Sequence, residues 1–224
     1  MSFRLEHAAG RHAAAARDPL MAGTMPHAIF IETGLDDAGT VAAYAAELPG
    51  CATFAADADE AARRMPARVT EFTTWLRRVG EPAPAFVGDN WYEVERAAAG
   101  HGDGAAGRAA FSLDELSPSD QEFEAWMRWL ELAREELASA LDAADADPAQ
   151  LAAVTDQDLA LADQLGSETE TMPDDPIDRL YAARDLLTDA LAAAGPARDG
   201  VRRALRLAIA DDLRLTDALR GGAR

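Results

Sequence analysis

The spacing of apolar residues changes part-way along this chain, and the change predicts two kinds of structure. Up to residue 55 the apolar positions come in short runs. Residues 28–33, Ala-Ile-Phe-Ile-Glu-Thr, are β-prone, and Gly34 to Gly39, carrying Asp36-Asp37, reads as a hairpin loop. A second strand is expected over Thr40 to Leu48, a turn at Pro49-Gly50, and a third, short strand over Cys51 to Ala55. The spacing then turns helical. Ala61, Met65, Val69, Phe72 and Leu76 form a stripe, with Asp57 or Asp59 as N-cap and Gly80 as the stop. Pro66 falls inside this helix and is expected to cost a hydrogen bond unless it sits in the first turns. Ala85 to Glu95, with Phe86, Val87, Trp91, Tyr92 and Val94, predicts another strand.

Gly100 to Gly107 is rich in Gly and Ala and reads as a flexible connector. Beyond it the pattern is helical to the end. Ser117 is the expected N-cap of the next helix, with Pro118 at its first position. Residues 118–145 carry Phe123, Trp126, Met127, Leu130, Leu137 and Leu141 on the inward side. Residues 148–166 carry Leu151, Val154, Leu161 and Leu165. A third helix opens at Asp175-Pro176, with Ile177, Leu180, Tyr181, Leu187 and Leu191 on one stripe, and breaks at Gly195-Pro196. Residues 197–220 form the last, with Val201, Leu205, Ala208, Leu215 and Leu219 inward. Four such helices in succession predict a bundle.

The expected fold class is therefore α+β. A small antiparallel sheet with one helix spans residues 25–99, a linker spans 100–116, and an antiparallel four-helix bundle spans 117–220. Residues 1–24 show no clear period and are expected to be a loose extension, with Met21 and Met25 as candidate start sites. Trp91, Phe111 and Trp129 are candidates for the seam between the two units.

Composition narrows the possibilities. The formal charge is −19 and every basic residue is Arg. Nucleic-acid binding needs a basic footprint to displace counterions, so this balance argues against it. Cys51 is alone, which rules out an intrachain disulfide and fits a reducing, cytoplasmic setting. No run approaches the roughly 20 apolar residues of a spanning helix, so no membrane association is expected.

Familiar catalytic motifs are missing: there is no P-loop, G-x-S-x-G, Cys-x-x-Cys or dinucleotide fingerprint. Cys51 has no His near it in sequence and is expected to be a buried thiol. His7 and His12 are five residues apart and would lie on different faces of a helix. Trp126 and Trp129 are expected to pack rather than to stack a ligand. Asp142 to Asp147 lacks the loop pattern of a calcium site.

Asp158 is different. It shares a stripe with Leu151, Val154, Leu161 and Leu165, so it points inward, and a buried carboxylate is costly unless paired or ligated. The favoured expectation is an ordinary partner, Arg184 or Arg206, or water. The alternative is a divalent-metal site made of oxygen ligands with Asp211 or Asp212.

Two resemblances sharpen this reading. Residues 28–95 resemble the HicB-like antitoxin module. The match rests on two strands, then Glu47-Leu-Pro-Gly-Cys51, a short strand, and a helix ending Phe72-Thr-Thr-Trp-Leu-Arg-Arg-Val-Gly80. The resemblance implies a three- or four-stranded antiparallel sheet with a helix, a partial RNase H-like shape. It also implies binding of a protein, typically a small toxin nuclease, with no catalysis by the module. The DNA-binding domain usual in such antitoxins has no counterpart here, since nothing basic enough follows.

Residues 117–220 look like a DinB/YfiT-type bundle through their helix order, Asp175-Pro-Ile-Asp-Arg-Leu180, and Arg203-Ala-Leu-Arg-Leu-Ala-Ile-Ala210 running into Leu215-Thr-Asp-Ala-Leu219. Many such bundles hold a divalent metal with three His, one from the second helix and two from the last. The corresponding positions here are Asp158, Asp211 and Leu215, and none of His7, His12, His27 or His101 lies in the predicted bundle helices. The resemblance thus implies a degenerate site, with no catalytic residue and no cofactor expected.

The expected function is non-catalytic protein binding or regulation. A partner strand is expected on Ala28 to Thr33 or Cys51 to Ala55, and self-association into a homodimer is a further option. The alternative is a DinB-type metal-dependent transferase or hydrolase using Asp158, Asp211 and Asp212 as substitute ligands.

Overall fold

The computed structural model describes residues 27–84, 91–100, 107–144, 146–168 and 171–222. The expected N-terminal extension, residues 85–90 of the expected fourth strand and residues 101–106 of the connector lie outside the described residues. Strands β1 (His27–Thr33), β2 (Val41–Ala45) and β3 (Ala52–Ala55) lead into helix α1 (Ala58–Arg78) and strand β4 (Trp91–Ala98). A 3-10 turn (Ser112–Glu115) precedes α2 (Asp120–Ala143), α3 (Pro148–Gln164), α4 (Pro176–Ala194) and α5 (Val201–Gly222). The α+β class read from the sequence is the class observed.

The sheet order is β3-β2-β1-β4. The first three strands are an antiparallel meander, whereas β4 runs parallel to β1. This corrects the expectation of a wholly antiparallel sheet. A hairpin reverses the chain, but α1 is a crossover connection, and a crossover brings the next strand back in the original direction. On one face of the sheet the Thr53 hydroxyl donates to the Ala61 carbonyl of α1 at 2.7 Å. On the other, Arg206 and Arg214 of α5 lie over the rings of Tyr44 and Phe54. With helices on both faces, every residue of β2 is buried. That is why the strands read as continuous apolar runs instead of alternating.

Asp57 caps α1 by accepting from the Glu60 amide at 2.8 Å. The buried stripe is the expected one, Ala61, Met65, Val69, Phe72 and Leu76, with Thr73 added. Pro66 lies in the third turn, not the first, and the helix continues through it, so burial of the stripe outweighs the missing N–H. The cap of α2 is Ser119, not Ser117. Ser119 has Glu122 three residues on, and the pair forms a reciprocal capping box, with the Ser119 amide donating to Glu122 at 2.8 Å.

In α4 the buried positions are Leu180, Ala183, Arg184, Leu187, Ala190 and Leu191, while Ile177 and Tyr181 remain 39% and 38% exposed. The apolar stripe read from the sequence was thus displaced at its start, because the buried face includes an arginine. Helix α2 packs on α5, and α3 packs on both α4 and α5. The inward residues of α5, Val201, Leu205, Ala208, Leu215 and Leu219, are all buried.

One apolar core runs without a break from Ile29 and Ile31 of the sheet, through Phe72, to Trp129, Leu161, Leu187 and Leu205 of the bundle. A smaller cluster, including Leu137, Leu151, Leu180 and Leu215, closes one end of the bundle. Phe72 meets Trp129 edge-on at 5.8 Å, and Phe111 lies against Phe30 at 5.2 Å, so both are seam residues as expected. Trp91 instead stacks on His27, 4.7 Å away, at the start of the sheet. The turn at Gly50 (φ 87°) presses directly on α5: a Cβ there would run into the Ile209 side chain. Only glycine supplies both that conformation and that approach. Residues 107–116 are part of this seam, with Ala109, Phe111 and Asp114 all buried. Among the described residues no helix is long and apolar enough to cross a membrane.

Candidate functional site

Each bundle helix sends one charged residue to a common interior point: Arg134 from α2, Asp158 from α3, Arg184 from α4 and Asp212 from α5. Arg184 bonds Asp212 through Nη2, and its Nε is 3.5 Å from Asp158. Arg134 Nε is 3.7 Å from Asp212, and its Nη1 donates to the Arg184 carbonyl at 2.9 Å and to the Thr188 hydroxyl. Burial pushes the Asp158 carboxyl up to about 7, against the pull of Arg184 and with the help of the Asp212 charge. Burial likewise raises Asp212 and lowers Arg134. Of the ordinary partners expected for Asp158, Arg184 is the one found, and Arg206 is elsewhere.

The alternative ligand set does not converge. Asp158 and Asp212 share the cluster, but Asp211 is one residue away on α5, where successive side chains diverge by about 100°. It turns to Arg108, with Nη1–Oδ2 at 3.1 Å. Leu215, at the third position, is buried with Leu137 and Leu151. Two guanidiniums already lie against the two buried carboxylates, so this donor set does not fit a divalent cation without displacing them. Among the described residues no three His, Cys, Asp or Glu side chains gather as a metal site.

A second ionic cluster lies in the seam, and sequence reasoning missed most of it. Glu32 of β1 is fully buried and grips Arg108, with Nε–Oε1 at 3.0 Å and Nη2–Oε2 at 3.2 Å. The Tyr44 hydroxyl and the Ala109 amide also donate to Glu32, at 2.8 and 2.6 Å. Burial alone would raise the Glu32 carboxyl, but the Arg108 charge and these hydrogen bonds outweigh it and hold it low. Beside them Arg206 binds Asp114 at 2.6 Å, donates to the Ala109 carbonyl at 3.1 Å and stacks on Tyr44 and Phe111. Glu32 left one trace in the sequence, as the lone charge in an apolar run. Arg108 and Asp114, in the connecting stretch, left none.

Between the β1–β2 loop, the end of β4, α3 and α5 lies a cleft of about 500 Å³. Leu35, Val154 and Leu215 form its apolar wall, and Asp36, Asp156, Asp211, Arg108, Arg214 and Gln157 its polar one. It falls within the size range of small-molecule sites, which favour such junctions.

The sheet has two unequal edges. β1 is interior, between β2 and β4, so the expected docking strand Ala28 to Thr33 is already paired on both sides. β3 is an edge, but Arg68 and Arg64 of α1 donate to its Ala52 and Phe54 carbonyls at 3.1 and 3.0 Å. Cys51 to Ala55 therefore offers few free acceptors. β4 is the other edge. Tyr92 and Val94 each stand 46% exposed on it, and no described strand pairs with its outer side.

Comparison with family models, curated proteins and solved structures finds no match to this chain. Cys51 is fully buried, and burial pushes its thiol up to about 12, far from a nucleophile's range. His7, His12 and His101 lie outside the described residues, and His27 sits in β1. Trp126 lies under Arg202, and Trp129 packs on Phe72. Asp147 caps α3, accepting from the Ala149 amide at 2.9 Å.

Proposed function

We propose that this chain is a non-catalytic protein-binding or regulatory protein, built from a HicB-like sheet module and a DinB-like bundle with a degenerate metal site. One observation carries the reading. The bundle interior, where a metal-dependent enzyme would hold its ion, is filled by two Asp–Arg pairs and by Leu215. The four strands and single helix over residues 27–98 lend support to the sheet module, although its fourth strand is parallel. The partner adds to β4, the edge with exposed apolar side chains and no arginine caps on its carbonyls among the described contacts.

Two measurements test this. Full-length protein exposed to zinc and nickel, then desalted, should retain no stoichiometric metal in elemental analysis. Equimolar metal that is lost on Asp158→Ala would favour the metal-dependent alternative instead. Native affinity capture with the wild type and with Val94→Lys should recover a partner only with the wild type, since a lysine on the exposed edge opposes strand addition. Equal recovery by both would remove β4 from the reading.

A further inference from the structure

β4 is the longest of the four strands, at eight residues, and no described strand pairs with its outer side. A long edge with exposed apolar side chains is a template for another strand. This edge is irregular in a way that selects its occupant. Its register against β1 slips by one residue: Glu93 lies opposite Ile29 and Glu95 opposite Phe30, so Val94 is an extra residue. Such a bulge interrupts the ladder with a regular strand. A strand that carries the same bulge at the matching point avoids that mismatch.

The slip also rearranges the charges. Side chains alternate between the faces of a sheet, so Glu93 and Arg96, three positions apart, would lie on opposite faces of a regular strand. The extra residue brings them to one face. They sit opposite Ile29 and Ile31, and Arg96 Nε and Nη2 donate to Glu93 at 2.9 and 2.6 Å. Glu95 lies on the other face, where it accepts from the Ser112 amide and hydroxyl at 2.8 and 2.6 Å. Two copies of β4 can run antiparallel about a two-fold axis placed between Val94 and Glu95. The two bulges then coincide. Trp91 meets Ala98, Tyr92 meets Ala97 and Glu93 meets Arg96, each pair on a common face. Moving the axis onto Val94 or Glu95 would instead oppose residues of different faces.

We propose that the strand added to β4 is a second copy of this chain, joining two four-stranded sheets into one continuous sheet across a two-fold axis. The proposal rests on the reading of β4 as the docking edge and names its occupant. The Glu93–Arg96 pair, made twice across the axis, fixes the register.

Sedimentation equilibrium of the full chain over a dilution series tests it. Physiological salt is used because it screens the repulsion between two chains of charge −19. The wild type should show twice the chain mass of 23.8 kDa. Glu93→Arg and Arg96→Glu each set like charges opposite one another, so each variant alone should dissociate with a constant about tenfold higher. These side chains are 38% and 49% exposed, so both variants should keep the wild-type circular dichroism. An equimolar mixture of the two variants should recover the wild-type dimer. Each then supplies the charge its partner lacks, while neither can form the pair within its own chain. A monomeric wild type, a dimer indifferent to both variants, or a mixture no tighter than its components would overturn the proposal. If the wild type is monomeric but captures another protein that Val94→Lys loses, the second copy is wrong and β4 remains the docking edge. If the dimer ignores both charge variants and capture ignores Val94→Lys, both readings fall.

Discussion

At the scale of single residues, the Asp158 carboxylate is the group whose environment most alters its chemistry. Its ordinary ionisation lies near 4, and burial moves it to about 7 in the folded chain. Between those values the native state holds a proton that the unfolded state has released. The stabilising effect of that proton is therefore complete below about pH 4 and is lost as pH rises through 7. Thermal melts of wild type and Asp158→Asn from about pH 5 to pH 8 should show the wild type losing stability relative to the variant as pH rises. Parallel curves would mean that Arg184 keeps Asp158 ionised throughout. Glu32 works in the opposite sense. Its carboxyl is held low, so its contribution is present above the ordinary carboxylate range and lost as pH falls through the folded value. The sequence marked Asp158 as inward because it stood on a leucine stripe. It could not mark Arg134, which sits on an ordinary helical surface pattern until three other helices surround it.

At the scale of elements, periodicity located the helices well and their ends less well. α2 is the clearest case, because two serines compete for its N-cap. Ser117 is followed at the third position by the short Asp120, and Ser119 by Glu122, whose longer side chain reaches back to the Ser119 amide. Urea unfolding should show Ser119→Ala losing about 1 kcal/mol and Ser117→Ala staying within about 0.5 kcal/mol. The reverse order would place the cap at the earlier serine. In α4 the leucine at position 180 was legible as core, but Ile177 and Tyr181 were not legible as exposed. Apolar type alone cannot rank faces when an arginine takes one of the inward places. For β4, strand propensity was evident in Trp91, Tyr92 and Val94, yet its parallel direction depends on how far α1 carries the chain.

At the scale of the whole molecule, the sheet and the bundle share one apolar core. The seam is closed by Gly50 against Ile209, Phe72 against Trp129, and the Glu32–Arg108–Asp211 chain of charges. A shared core of this kind unfolds as a unit. Tryptophan fluorescence, with Trp129 in the seam, and far-UV circular dichroism, dominated by the helices, should give coincident transitions in urea. Two separated midpoints would show that the sheet and the bundle are independent folding units.

What the sequence determined by itself is the local content: three strands before α1, the presence of four later amphipathic helices, the inward place of Asp158 and the apolar character of Leu215. Each of these follows from neighbours within a turn or a strand, which is the range over which periodicity carries information. Tertiary structure decided which charges meet, which sheet edge stays open and where the cleft lies. Glu32 finds Arg108 across 76 positions, and Arg108 finds Asp211 across 103. No local pattern encodes a partner so far along the chain, because only the folded packing of the sheet against α5 brings those groups within hydrogen-bonding distance.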